Sequence, residues 1–395
     1  MRQRTNRPRP DGSGRPPDGH GRAHSIGRPY PSRVSEETEP AAASGPNTPP
    51  PEIHQLVRQR SEARARRDWA TADSLKAQIE EAGWSVVDRG TQSAVRRTHP
   101  VSVEVAGELR YGSAADVPSR LGGPADAPWT VAIVAGETPD RVSALLAGLR
   151  AHATNGTQVV VVLNDPSDAQ AAALAPGAPD REPIGGRDIE VLRTAVRLGH
   201  ATTLDIALRR ASGELVLLAD GSAIPTGDAL GPLAKVLADP GVALAGAFGV
   251  SMAEPGRPQP GALELSASDS PGALAWGWIA FRRSDYADLG PLDERFVTPA
   301  WLDVWLSLRL RAGLDPEWLD ETELPTKGRT SEGPGDGEAP AAQVPEGFEL
   351  PALRRAARLD LPLEGGHTWP PERTRLNRRN MYRVLSRYGW RPDLF

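Results

Sequence analysis

The segment Gly213-Glu214-Leu215-Val216-Leu217-Leu218-Ala219-Asp220-Gly221-Ser222 decides the fold. A short continuous apolar run, closed by an Asp-Gly-Ser turn signal, reads as a strand buried on both faces. We place this strand over Glu214 to Ala219, with helical patterning before it (Thr202 to Ala211) and after it (Asp228 to Leu237). The same alternation extends upstream. Thr130 to Ala135, Val159 to Leu163 and Ile189 to Leu192 read as strands, and Asp140 to Ala151 places Val142, Leu145, Leu146 and Leu149 on one helical face. Strands alternating with helices specify an α/β protein, a mostly parallel sheet flanked by helices. Ligands of such sheets bind beyond the carboxyl ends of the strands. Here those positions are Ala135-Gly136-Glu137, Asn164-Asp165, Arg197-Leu198-Gly199-His200 and Ala219-Asp220-Gly221-Ser222.

Composition narrows the chemistry. None of the 395 residues is cysteine, which excludes disulfides, thiolate-bound zinc, iron–sulfur clusters and thiol catalysis. Residues 1–34 carry a net charge of +6, leaving −11 on the remainder of a chain whose total is −5. An acidic body argues against a nucleic-acid-coating surface, so RNA is not an expected partner. No apolar run approaches the roughly 18 residues of a membrane span, and no apolar leader follows Met1. A cytoplasmic protein is expected.

Residues 1–50 are rich in Pro, Gly, Arg and Ser and almost devoid of large aliphatic side chains. Such a segment cannot bury enough apolar surface to offset its ordering entropy, and disorder is expected. From 51 to 98 the pattern becomes helical. Ile53, Leu56, Val57, Arg60 and Ala63 share one face, the run breaks at Arg67-Asp68-Trp69, and Ala72, Leu75, Lys76 and Ile79 continue to a capping Gly83. This αα-hairpin is followed by a short strand at Trp84, Val86 and Val87. The run from Arg64 to Lys76, with Gly83 and Asp88-Arg89-Gly90-Thr91, resembles the C-terminal tail of cysteinyl-tRNA synthetases. The catalytic signatures of a synthetase are absent, so the hairpin implies packing or protein contacts rather than aminoacylation.

The strand–helix region resembles the family 2 glycosyltransferases of GT-A (nucleotide-diphospho-sugar transferase-like) type. The pieces that carry this are Arg197-Leu198-Gly199-His200, Leu208 to Glu214, Val216 to Ser222, Ala280-Phe281-Arg282-Arg283-Ser284, Leu289-Gly290-Pro291-Leu292-Asp293-Glu294-Arg295-Phe296 and Leu302 to Arg311. Their order and spacing carry the resemblance, which covers about Trp129 to Leu319 plus the C-terminal helix.

The resemblance implies sugar transfer from a nucleoside diphosphate sugar to a hydroxyl acceptor. It implies Asn164 and Asp165 as nucleotide contacts, and Asp220 with Ser222 as contacts to the diphosphate or to a divalent Mg or Mn ion. His367 falls where relatives carry a histidine near the diphosphate; it and His200 are the histidines nearest these elements. Asp303 is implied as the base that deprotonates the acceptor. Trp276, Trp278 and Trp301 are candidate acceptor platforms, since aromatic faces suit sugar C–H surfaces; packing between sheet and helix is the competing reading. The family's acidic seat is depleted, with Leu163, Ala219, Gly221 and Leu302 at positions where relatives carry carboxylates, and this weakens the metal site. Asp220 read alone simply starts a turn, and Asp303 read alone is a favourable charge at a helix N-terminus.

The expected organisation is a tail at 1–50, the hairpin at 51–98, the GT-A domain at 99–327, a flexible loop at 328–347 and an extension at 348–395. That extension ends in a helix over about Glu372 to Tyr388, apolar at Met381, Val384, Leu385 and Tyr388 and otherwise rich in arginine. Such a helix suits either docking on the protein or peripheral contact with an anionic membrane. A non-catalytic binding or scaffold protein on the same fold is the alternative to an enzyme.

Overall fold

The computed structural model describes residues 48–89, 92–136, 138–252, 263–313, 351–367 and 374–388. The expected tail through residue 47, the loop at 328–347, Gly90-Thr91, Glu137, and Glu372-Arg373 ahead of the last helix lie outside the described residues.

The hairpin forms as its spacing predicts. Helix α1 (Pro51–Ala65) opens on Pro51, whose missing N–H is no loss in a first helical turn. Arg67 takes a left-handed conformation (φ 59°), and the Asp68 side chain caps helix α2 (Trp69–Glu81) by accepting from Thr71 N at 3.1 Å. Ile53, Val57 and Ile79 close on Trp84 of β1 (Trp84–Arg89), which pairs antiparallel with β2 (Gln92–Arg97). This small core is separate from the two cores that sandwich the main sheet.

That sheet begins with β3 (Val103–Val105), β4 (Glu108–Tyr111) and β5 (Ala127–Ala135). After α3 (Pro139–His152) come β6 (Gln158–Leu163), the short α4 (Asp168–Ala173) and β7 (Glu190–Thr194). Then follow α5 (His200–Arg209), β8 (Gly213–Ala219), β9 (Ala223–Pro225) and α6 (Leu230–Leu237). Strands β10 (Val242–Gly246), β11 (Gly249–Met252), β12 (Leu263–Ser266), β13 (Ala273–Leu274) and β14 (Trp278–Arg282) lead to α7 (Arg283–Leu289) and α8 (Leu302–Ala312). The described chain ends with β15 (Arg355–Arg358), β16 (Leu363–Gly365) and α9 (Thr374–Tyr388).

Nine strands form one sheet in the order β15-β10-β14-β8-β5-β6-β7-β4-β3. β8, β5, β6 and β7 are mutually parallel at its centre. Alternate residues of the central strands enter opposite cores: Val131, Ile133 and Ala135 pack with α3 and α6, while Ala132, Val160 and Val162 pack with α5 and α8. Burial on both faces explains why these strands read as unbroken apolar runs.

Two features depart from the alternation read in the sequence. β14 runs antiparallel to β8 and to β10, so the sheet is mixed on that side. The segment expected as an extension beyond residue 348 supplies β15 parallel to β10 and β16 antiparallel to β9, and so completes the sheet side of the fold. Arg355–Arg358 and Leu363–Gly365 carry too few apolar residues for their pattern to show it. In α9, Met381, Val384 and Tyr388 are buried while Arg378, Arg379 and Tyr382 are exposed, so its apolar stripe is already used in packing and the face that meets solvent carries Tyr382 beside the arginines. No helix among the described residues is long and apolar enough to cross a membrane.

Candidate functional site

β8 ends at Ala219, and the turn that follows organises the site. Asp220 N donates to Gly277 O at 3.2 Å. Asp220 Oδ1 accepts from Ser222 N at 2.8 Å and also from Ser222 Oγ. One carboxylate oxygen is therefore committed to an Asx-type turn, as the plain reading of Asp-Gly-Ser anticipates. Oδ2 accepts no hydrogen bond among the described residues. Ser222 points inward to this turn, and its carbonyl accepts from Gly366 N at 3.1 Å.

The β9–β16 pairing carries the late chain to the turn. Gly365 lies opposite Ala223 with φ 97°, and an added Cβ would sit 2.2 Å from Ser222 O, so a side chain is excluded twice over. Two residues on, the His367 ring reaches Trp276, its Nδ1 lying 2.9 Å from the Trp276 carbonyl. A carbonyl only accepts, so Nδ1 carries the proton.

A cavity of about 260 Å³ opens at the carboxyl end of the sheet, walled chiefly by His200, Leu204, Ala219, Asp220, Trp276 and His367. Val134, Leu218, Gly277 and Pro299 complete the wall. His200 is the first residue of α5 and meets Trp276 edge-on, the ring centroids 5.3 Å apart. Burial pushes the His200 imidazole down to about 4, against a smaller upward pull from Asp220. His367 is also lowered, by burial first, with the Trp276 hydrogen bond and Asp220 opposing. The wall thus presents the Asp220 side chain, two imidazoles that burial keeps neutral and an indole in largely apolar surroundings. That combination suits a hydroxyl-rich ligand, offering a strong acceptor, weaker polar groups and an aromatic face.

The expected nucleotide contacts sit elsewhere. The Asn164 amide is used by the fold: Oδ1 accepts from Leu198 N (2.8 Å) and Thr194 Oγ1 (3.2 Å), and Nδ2 donates to Leu198 O (3.1 Å). It braces the end of β6 to the loop before α5 and does not line the cavity. Asp165 is exposed beyond that strand end in a left-handed conformation, φ 52°.

Of the three tryptophans expected as acceptor platforms, only Trp276 faces the cavity. Trp278 is fully buried on a sheet strand, its indole donating to Ala223 O at 3.0 Å. Trp301 is 5% exposed, packed in the core, and left-handed (φ 68°) at the entry to α8. Alternation along β14 turns Trp278 inward, and the turn into α8 does the same to Trp301.

Asp303, expected as the acceptor base, lies behind the cavity wall. Its Oδ2 accepts from Trp276 N (3.2 Å) and its Oδ1 from Val304 N (2.9 Å). Burial raises this carboxyl to about 7, against the opposing pull of those backbone donors. A pKa near neutrality suits a general base, yet the group meets main-chain amides and holds Trp276 in place.

A second buried carboxyl had no sequence signal beyond its position in an apolar helix. Asp205 of α5 accepts through Oδ1 from Tyr286 OH and from Leu292 N at 3.0 Å, while Oδ2 has no partner among the described residues. Burial raises it to about 7, and the Tyr286 bond and Leu292 N oppose. It ties α5 to α7 and to the Leu289-Gly290-Pro291-Leu292 turn.

The residues present do not fit a Mg²⁺ or Mn²⁺ seat. Ala219 and Gly221 offer no donor, Asp220 keeps one oxygen, and no group of three or more His, Cys, Asp or Glu that could hold a metal occurs among the described residues.

Two parts of the chain match known families. Residues 130–283 match the family described as glycosyl transferase family 2, and residues 48–96 match the cysteinyl-tRNA ligase anticodon binding domain. The mannosyltransferase PcManGT from Pyrobaculum calidifontis, solved with GDP-Man and Mn²⁺, is 20% identical, with 50% of this chain and 55% of that one covered and a TM-score of 0.37. TarS from S. aureus is 16% identical, covering 47% of this chain and 33% of its own, with a TM-score of 0.36. GalNAc-T7, solved with UDP, GalNAc and Mn²⁺, is 12% identical, covering 47% and 40%, with a TM-score of 0.39. The match spans about half or less of the length of each of these structures.

Proposed function

We propose that this chain, whose residues 130–283 form a family 2 glycosyltransferase domain behind a cysteinyl-tRNA ligase-type hairpin, transfers a sugar from a nucleoside diphosphate sugar to a hydroxyl acceptor. The observation that carries the reading is the cavity at the carboxyl end of the sheet. There Asp220 from the end of β8, Trp276 ahead of β14 and His367 beyond β16 converge on one small space. In a two-faced α/β sheet that is where a ligand belongs.

In this reading Trp276 stacks on a sugar ring. His367 and His200 are hydrogen-bonding walls, neutral at physiological pH. Asp220 Oδ2, the oxygen left over by the Ser222 turn, accepts the proton of the attacking hydroxyl; the new glycosidic bond forms as the bond to the diphosphate breaks. Asp303 acts one step back, setting the position of Trp276. Ser222 holds the Asp220 rotamer, and Asn164 holds the rim. The hairpin keeps its own core and serves as a packing or protein-contact module.

The depleted acidic seat favours a second reading, a binding or scaffold protein on the same fold. Thermal-shift titration with UDP-, GDP- and dTDP-sugars, followed by an acceptor screen with the donor that binds, separates the two. A ligand bound only by the folded state stabilises it by about 2.7 kcal/mol at a hundredfold excess over Kd. Transfer abolished by Asp220→Asn supports the enzyme. Donor binding with no transfer to any acceptor supports the scaffold, and no shift with any donor removes the nucleotide-sugar reading.

A further inference from the structure

We propose that the site holds the diphosphate of its donor without a divalent metal, with Arg141 as the cation that neutralises it. The inference rests on the donor class proposed above and adds how that donor is held.

The loss of the metal seat is built into the packing. Gly221 stands where the family carries a carboxylate, and it lies against the first turn of α3. A Cβ built there would fall 2.6 Å from Arg141 Cβ and 2.8 and 2.9 Å from the Arg141 carbonyl carbon and oxygen. Backbone cannot yield to such a contact without moving the helix, so no aspartate fits at this position. Ala219 is buried and carries only a methyl group. Asp220 Oδ1 is held by Ser222, which leaves one carboxylate oxygen where an octahedral ion needs several oxygen ligands.

The contact that excludes the carboxylate brings a cation in its place. Arg141 Cβ leaves α3 directly beside the Asp220-Gly221-Ser222 turn. Its side chain is exposed and makes no ion pair among the described residues. Guanidinium offers a planar fork of donors that pairs with two phosphate oxygens and stays charged at any working pH. Arg141 follows Pro139 and Asp140 in the opening turn of a 14-residue helix, whose dipole adds to the favourable potential. A guanidinium reaching the phosphates from this position would stabilise the developing negative charge of the leaving diphosphate, the task a metal performs in a site with more carboxylates.

Isothermal titration of the full chain with UDP, GDP and dTDP, each in EDTA and again with Mn²⁺, tests this. The expected result is that one nucleotide binds in EDTA, with less than a twofold change on adding Mn²⁺. Arg141→Ala then weakens it by tenfold or more, Arg141→Glu abolishes it, and the melting temperatures stay unchanged because the side chain is exposed. Binding that appears only with Mn²⁺ overturns the inference and leaves the proposed donor class standing. Binding in EDTA that Arg141→Ala and Arg141→Glu leave intact overturns the assignment to Arg141. No binding of any nucleotide in either condition overturns the inference together with the reading beneath it.

Discussion

His367 donates through Nδ1 to the carbonyl of Trp276, joining the segment beyond β16 to the residues ahead of β14. The bond fixes the neutral tautomer of the imidazole and one wall of the cavity together. It is made possible by the β9–β16 pairing, which sets Gly365 opposite Ala223 and aims the next residues at the sheet's carboxyl edge.

Replacing His367 by Ala removes a wall and the hydrogen bond to Trp276 while leaving the strand pairing intact. Loss of the hydrogen bond that His367 offers the donor, worth about 1 kcal/mol, weakens donor binding by about fivefold. Burial holds its imidazole below the usual histidine range, so the folded state resists protonation more than the unfolded chain does. The unfolded state then binds more protons as pH falls below about 6.5, and stability declines in that direction. Chemical denaturation of wild type and His367→Ala between pH 5 and 7 checks both points: the variant loses this part of the slope.

Gly365→Ala tests the strand pairing itself. Its φ of 97° and the 2.2 Å approach to Ser222 O leave no room for a methyl group. A substitution at such a position costs about 1–3 kcal/mol, and here it also withdraws His367 from the cavity. The expected result is a lower melting temperature together with a larger loss of donor affinity than His367→Ala alone produces. Equal affinity losses in the two variants would show that β16 does no positioning.

The central parallel strands, α3, α5, α6 and the hairpin were legible because each carries an uninterrupted apolar run or a 3.6-residue stripe of its own. Asp220, read as a candidate because it follows a buried strand, and His367, read as one from the family resemblance, both line the cavity. Trp278 and Trp301 were not separable from Trp276, since which way a tryptophan faces depends on the register of β14 and on the left-handed turn into α8. β15 was hidden because only Ala356 and Ala357 of Arg355–Arg358 enter the core. Asp205 was hidden for the opposite reason: its partners Tyr286 and Leu292 lie far along the chain, and no local pattern announces a carboxyl that packs as a neutral acid.

That carboxyl gives the chain a distinctive pH response. Burial raises Asp205 to about 7 from 3.8, so the folded state keeps a proton that the unfolded chain gives up near pH 4. Stability contributed by this group is full below about pH 4 and falls as pH rises toward 7. Asp205→Asn mimics the protonated form and still accepts from Tyr286 and Leu292 N, so the variant loses this slope and equals or exceeds wild type at pH 8. Asp205→Leu leaves both donors buried without an acceptor and costs about 2–4 kcal/mol at every pH. Urea denaturation from pH 4 to 8 distinguishes them, and an Asp205→Asn curve parallel to wild type would rule out the buried acid.

Asp303 separates a positioning role from a chemical one. Its oxygens meet Trp276 N and Val304 N, and the residue does not line the cavity, so its influence on transfer passes through Trp276. Asn keeps one acceptor for Trp276 N but places an NH₂ group against a backbone donor, which shifts the indole. The expected outcome for Asp303→Asn is a raised KM for the acceptor with kcat held within a few-fold, and a pH–rate profile whose inflection does not move. Asp220→Asn, by contrast, removes the proton acceptor, a contribution of about 10²–10⁴ in kcat. If Asp303→Asn instead abolishes kcat and erases an inflection near pH 7, the buried carboxyl reaches the acceptor through a rearranged Trp276. Asp220 would then be left holding the sugar rather than taking its proton.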